Sequence, residues 1–532
     1  MLSSKDKQYM LLSLVAGAQL GAAALWNTVI PTEYGAVRGF PAFNTTDIAV
    51  TAWKGVPYAA DTGGENRFRP PQPRPRWNGT LDAKDFGYAC PDSQQTYTVD
   101  EDCLSVNIWT NANSTDAGLP VFMWIYGGEC TSAQPLFDGG GLAQKDVVVV
   151  TINYRAGAFA WLAHPELAEE SPEGVSGNYG LLDQIQALKW VHRNIANFGG
   201  DPKRITVAGQ SGGSAGVYHL VNSPLTKGLI HGAIAESGVR YPYDSLIAGL
   251  ATSYRTMDDA LDIGINYTLS HNVTTIAELR KLPMEELLDP RDFETINWIT
   301  TLDTGSPPKF RPTLDGWAFP ATYLELLKSG AANDVPFITG NNKDESGAST
   351  TTDYTLAEYN YYSSFKYANL SSRFFELYPA SNATQADMAW NAAARDTSRV
   401  SSYLFANEWA KAYDSPFYTY YWDHAPPGQS QGAYHMSEIN YVFNNLYGTD
   451  LPWTKADWLI ADIMSSYWAN FVKTGNPNNG SSWTGPGELV HWPANQHEND
   501  TMHLGYRQGV CPIASPAQVS LITDFFHGQQ PW

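Results

Sequence analysis

Cysteine is scarce in this chain: 532 residues contain four, Cys90, Cys103, Cys130 and Cys511. None forms a C-x-x-C pair, so a cysteine and histidine metal cluster has no support, and neither a metal nor another cofactor is expected. Positive charge is also short. The 33 Lys and Arg residues face 54 Asp and Glu, leaving a formal charge of −21; that field repels phosphate, which argues against nucleic acid and anionic membrane surfaces as partners. Beyond the N-terminus no apolar run is long enough to span a bilayer, so no stable membrane insertion is expected. The glycine run at Gly139 to Gly141 lacks the Lys-Ser/Thr of a P-loop and opens no dinucleotide fingerprint.

Apolar and aromatic residues are plentiful. The chain is 43% hydrophobic and 13% aromatic, with 18 Trp and 30 Tyr, which supplies a large core and excludes general disorder. Large α/β enzymes reach this length around one sheet, so length alone does not require two domains. Residues 1–24 are expected to be a secretory signal: Lys5 and Lys7 precede the apolar stretch from Met10 to Leu25, with small residues for cleavage near Ala18 or Ala24. As an uncleaved anchor the stretch falls below the roughly 20 residues needed to span. Nine Asn-x-Ser/Thr sequons begin at Asn44, Asn78, Asn113, Asn266, Asn272, Asn369, Asn382, Asn479 and Asn499, and together with the signal they predict a secreted, extracellular glycoprotein. In an oxidising compartment Cys90 with Cys103 is the most economical pairing, closing a short polar loop; whether Cys130 and Cys511 meet stays open.

Short apolar runs read as buried strands of an α/β protein: "VFMWIY" from Val121, "VVVVTINY" from Val147, "RITVAG" from Arg204, "GAIAES" from Gly232, "PFITG" from Pro336 and "PFYTYYW" from Pro416. Amphipathic helices are predicted over Leu181 to Phe198 and Ala456 to Gly475. The less regular part from about 241 to 401 is expected to place helices over the sheet's carboxyl edge, within a single domain spanning 25–532.

Gly209-Gln210-Ser211-Gly212-Gly213 fits G-x-S-x-G, between an apolar run that reads as a strand and a segment that reads as a helix. Glycines two before and two after the serine leave room for a tight, strained turn that exposes its hydroxyl. A serine nucleophile needs a base, and the base needs a carboxylate. Spacing alone selects no base from 11 histidines. Chain order in hydrolases of this topology runs Ser, then Asp or Glu, then His. "ITGNNKDESG" offers Asp344 and Glu345 after a strand, and "GQSQGAYHMSEINYVF" offers His435. "WIYGGE", Trp124 to Glu129, puts glycine amides beyond another strand, where they and the Gly212 amide can face an oxyanion.

These segments resemble the type B carboxylesterases, the α/β-hydrolase group that includes cholinesterases and fungal secreted esterases and lipases. The likeness covers most of the chain. Besides the elbow it rests on "FRPPQP" from Phe68, "EDCLSVNIW" from Glu101, "WIYGG" from Trp124, "NYRAGAFAWL" from Asn153, the long block from Gly177 to Gly216, and "ESG" from Glu236. The resemblance implies an α/β-hydrolase fold with a large, mostly parallel central sheet. It also implies Ser211 as nucleophile, Glu345 as triad acid and His435 as base, with oxyanion donors from Gly128, Glu129 and Gly212. Ser237 and Glu438 match supporting groups near the base. Glu129 departs from the family's third glycine, and Cys130 follows where an aromatic is common. Gln210 stands where cholinesterases usually carry a glutamate, and the loop from Cys90 to Cys103 has no Trp to bind a cation, so choline esters are not expected.

The expected activity is hydrolysis of small carboxylic esters through an acyl-enzyme. Lipid esters are the alternative: a lipase or sterol esterase would need an apolar tunnel and a movable lid, and the short polar Cys90 to Cys103 loop disfavours a large lid there. A noncatalytic secreted adhesion or binding protein on the same fold is the other alternative, against which the intact set Ser211, Glu345 and His435 argues. Oligomeric state is not readable from the sequence.

Overall fold

The computed structural model describes residues 24–45, 48–93, 95–128, 130–288, 307–495 and 499–532. All of the expected signal segment except Ala24, and Glu129, lie outside them.

An eleven-stranded sheet runs through the molecule. Its strands in chain order are β1 (Phe40–Pro41), β2 (Thr51–Pro57), β3 (Ser105–Thr110), β4 (Leu119–Ile125), β5 (Val148–Ile152), β6 (Gly200–Gln210), β7 (Gly232–Glu236), β8 (Phe337–Asn342), β9 (Phe417–Trp422), β10 (Asp500–Leu504) and β11 (Gly509–Pro512). In space the order is β1-β2-β3-β5-β4-β6-β7-β8-β9-β10-β11. Neighbours from β5 to β10 pair in parallel, and the remaining pairs, at the two edges, are antiparallel. Every residue of β5, β7, β8 and β9 is buried. Helices cover both faces of a parallel sheet, which is why these segments read as unbroken apolar runs.

The first long helix, α1 (Tyr179–Asn194), passes into a 3-10 turn ending at Phe198, and Gly199 follows with φ 83°. Next comes α2 (Gly212–Asn222), buried along its length except at Gly212. Within the span 241–401 lie α3 (Met257–Ser270), α4 (Leu356–Tyr367) and most of α5 (Ala383–Ala412), but also β8, which belongs to the main sheet. The chain closes with α6 (Lys455–Thr474) and α7 (Pro516–His527). Thr454 and Asp457 form a reciprocal N-terminal cap on α6, and Gly475 ends it in the left-handed conformation. A second apolar cluster joins Tyr241, Tyr359, Phe374 and Phe525, so α4, α5 and α7 are packed together rather than draped loosely.

Cys90 and Cys103 form a disulfide, and Cys130 and Cys511 do not bond each other. All nine sequon asparagines are exposed. Among the described residues no helix is long and apolar enough to cross a membrane, and no cluster of potential metal ligands occurs.

Candidate active site

β6 ends at Gln210 and α2 begins at Gly212, so a single residue makes the turn. Ser211 takes φ 57° and ψ −117°, a conformation that costs an L-residue on the order of 1–3 kcal/mol. Neighbouring backbone holds it there: the Ser211 amide donates to the Glu236 carbonyl at 2.9 Å, and the Ala215 amide donates to the Ser211 carbonyl at 3.1 Å. The flanking glycines are required by close approach. A Cβ on Gly213 would lie 1.8 Å from the Ile125 carbonyl oxygen, and one on Gly209 would lie 2.6 Å from the same atom. Strand β4 therefore presses against the elbow from the side that carries the glycine loop.

Glu345 lies just past β8, and His435 lies in the connection that follows β9. Their side chains meet: His435 Nδ1 is 2.6 Å from Glu345 Oε2. Glu345 Oε1 accepts the Asn342 amide at 2.7 Å. A bridge between Asp344 and Tyr434 ties the two loops together, and the Ala433 amide donates to Asp344 Oδ2 at 2.8 Å. Arg395 on α5 donates to Asp344 Oδ1 at 2.6 Å and to the carbonyls of Lys343 and Ser349. Of the two acids that the sequence offers, Asp344 thus braces the loop and Glu345 touches the imidazole.

Burial opposes charge on both members of this pair, and their hydrogen bond favours it. The bond prevails on each side. Glu345 is held below its ordinary carboxyl value, with the Asn342 amide and then Ser237 adding to the effect. The Ser237 hydroxyl nevertheless makes no hydrogen bond of standard geometry. His435 is raised above its ordinary value, with the Glu438 carboxylate contributing after Glu345. The imidazole is enclosed by protein, yet its side chain is 43% exposed against 3% for Glu345, because it faces an open cavity. The Gln210 amide nitrogen lies 3.3 Å from both ring nitrogens, which places it across the ring edge.

Behind the histidine two further carboxyls, Glu236 and Glu438, are fully buried. Trp468 Nε1 donates to Glu236 Oε1 at 2.8 Å, and Asn342 Nδ2 donates to Glu438 Oε2. Glu236 Oε2, Glu438 Oε1, Gln210 Oε1 and the Ser214 and Ser237 hydroxyls make no hydrogen bond of standard geometry among the described residues. Burial raises both acids, assisted at Glu236 by Glu438 and at Glu438 by Glu345. Neighbouring carboxyls oppose one another's ionisation, so Glu236 and Glu438 give up their protons less readily than a free carboxyl.

Ser211, Gly212, Gly128, Ser237, Glu345 and His435 all line one cavity of about 1140 Å³. Gly212 opens α2, where an amide has no intrahelical acceptor. A Cβ on Gly127 would come 2.7 Å from Ser211 Cβ and 2.8 Å from the Gly212 nitrogen, so the loop after β4 is seated on the elbow. Gly128 turns with φ 40°. His219 also lines the cavity, but burial depresses it to about 3 and its Nε2 is bonded to the Tyr323 hydroxyl at 2.8 Å, so it stays neutral. The walls come from residues of 249–251, 308–312 and 346–354, with Trp161 and Trp390. Sequence reasoning does not find the three segments, because they are irregular and carry no periodic signal; Trp161 ends a short helix and Trp390 lies on α5.

Residues 27–518 match the model of the carboxylesterase family. The chain belongs to that family. Like its relatives it is a carboxylic ester hydrolase, of α/β-hydrolase fold. It is 32% identical to fumonisin B1 esterase of Sphingopyxis macrogoltabida over 90% of this chain and 86% of that one. It is also 32% identical to para-nitrobenzyl esterase of Bacillus subtilis over 88% of this chain and 93% of that one. A solved PNB esterase structure superposes with a TM-score of 0.71 at 29% identity, covering 93% of this carboxylesterase and 99% of the other chain.

Proposed function

We propose that this carboxylesterase works through a Ser211, His435 and Glu345 triad as a secreted glycoprotein. His435 Nε2 takes the Ser211 proton as Oγ attacks the ester carbonyl. The amides of Gly128, Glu129 and Gly212 stabilise the oxyanion, and the imidazolium returns a proton to the departing alcohol. Water, deprotonated by His435, then attacks the acyl-enzyme; the carboxylic acid leaves and Ser211 regains its proton. Glu345 remains ionised and fixes the proton on Nδ1. Gln210, Ser237 and Glu438 support the base without reacting.

The observation that carries this reading is the 2.6 Å contact of His435 Nδ1 with Glu345, in a cavity also lined by a serine with a strained backbone. Relatives named for fumonisin B1 and para-nitrobenzyl esterase activity support carboxylic esters as substrates. The signal-like start, the disulfide and nine exposed sequons support secretion. Purified protein should hydrolyse p-nitrophenyl acetate and take a fluorophosphonate label on the peptide containing Ser211, and Ser211→Ala should lose both. A label on another residue, or a Ser211→Ala variant that retains turnover, refutes the assignment.

A further inference from the structure

Arg311 is a cavity-wall cation that makes no ion pair with any described residue. Its Nε donates to the Ser253 hydroxyl at 3.1 Å, and Nη1 donates to the carbonyl of its own neighbour Phe310 at 3.4 Å. Nη2 makes no hydrogen bond among the described residues. Phe310, 3% exposed and packed edge-on against Tyr267, anchors the segment, so the adjacent guanidinium is held in place.

Among the described residues, the charged group that acts on it is a like charge, Arg255, which after burial lowers Arg311 to about 10. Arg255 is itself engaged by the carbonyls of Pro307, Pro308 and Lys309. The carboxylates lining the same cavity are Asp92, Glu345 and Asp353; Glu345 is bonded to His435, Asp353 accepts from Thr351, and none pairs with Arg311. In a chain of net charge −21, a partly desolvated guanidinium that has no counterion among the described residues is open to a ligand that brings negative charge. Pinning the segment would need no more than the Nε edge, whereas the outer edge of a guanidinium is a planar fork that fits a carboxylate through two parallel hydrogen bonds.

We propose that Arg311 recognises a carboxylate on the substrate, so that the preferred esters carry a second, free carboxyl group, as monoesters of dicarboxylic acids do. This rests on the hydrolytic reading above. A cavity of about 1140 Å³ has room for the ester at Ser211 and an anionic arm along the same wall.

The test compares mono-p-nitrophenyl glutarate with p-nitrophenyl pentanoate, which match in chain length and differ in the free carboxylate. Wild type should favour the glutarate ester. Arg311→Met should lower the ratio of the two kcat/KM values roughly 10- to 100-fold, mainly through KM, and Arg311→Lys should restore part of it. Calorimetric binding of glutarate to Ser211→Ala protein should weaken by a similar factor when Arg311→Met is added. Equal losses on both esters, or a ratio that ignores Arg311, would mean a structural peg and overturn the proposal while hydrolysis stands. Arg311-dependent glutarate binding by a protein that hydrolyses neither ester would keep the anion site and remove the hydrolytic reading.

Discussion

Asp344 and Glu345 are adjacent in the chain and have different partners: Asp344 Oδ1 accepts from Arg395 at 2.6 Å, and Glu345 Oε2 lies 2.6 Å from His435 Nδ1. Substitutions should separate the two. Glu345→Gln should cut kcat by about 10⁴-fold with little change in melting temperature. Asp344→Asn should keep most of kcat but cost about 1–3 kcal/mol of stability, read by thermal unfolding. Equal kinetic losses from both variants would contradict this division.

The raised His435 value sets the acid limb of activity. Below it the imidazole already holds a proton and cannot take the one from Ser211, so kcat/KM on an uncharged ester should rise with pH and reach half-maximum above the ordinary histidine value of 6.5. Glu345→Gln removes the main raising influence and leaves burial, which lowers the value, opposed only by the smaller effect of Glu438. Its residual activity should therefore have a limb displaced to lower pH. A wild-type limb centred below 6.5 would count against the geometry described for this pair.

Two glycines of α2 should respond unequally to alanine. At Gly213 the new Cβ meets backbone, 1.8 Å from the Ile125 carbonyl oxygen, whereas at Gly216 it meets the end of the Gln184 side chain at 2.5 Å. Gly213→Ala should give insoluble or inactive protein. Gly216→Ala should fold, with a stability loss within about 2 kcal/mol. Expression yield and circular dichroism would decide.

Glu236 gives a stability prediction of definite sign. A carboxyl whose folded value is raised contributes stability below its unfolded value near 4.5 and loses that contribution as pH rises toward the folded value. Glu236→Gln keeps an oxygen to accept from Trp468 and removes the ionisation. The variant should match wild type near pH 4 and be more stable by about 1–3 kcal/mol near pH 8. Melting curves at the two pH values measure the difference; a variant less stable at pH 8 would show that the carboxylate is needed in its charged form.

The parallel centre of the sheet was legible because both its faces are covered. Six apolar runs predicted as strands correspond to β4 through β9, and the two predicted helices recur within two residues at their starts. The sheet edges were not legible as strands. β2, "TAWKGVP", carries a lysine and a glycine, and β10, "DTMHL", mixes charge with apolar residues, so neither shows the uniform pattern of a strand buried on both sides. The serine turn was readable from glycine spacing, a backbone constraint written locally. The choice of His435 and Glu345 needed chain order and resemblance, since their contact spans 90 positions. Arg311 escaped altogether: only the folded chain shows that no described carboxylate lies opposite it.

Strain at Ser211 has a consequence for the protein's history. The turn is fixed by backbone packing among β4, β6 and α2, while the surfaces that a visiting molecule would touch hang on excursions at 249–251, 308–312 and 346–354. Mutational drift in those excursions can therefore retune which molecules enter without disturbing the frame, so a directed-evolution library confined to them is the economical route to a new preference.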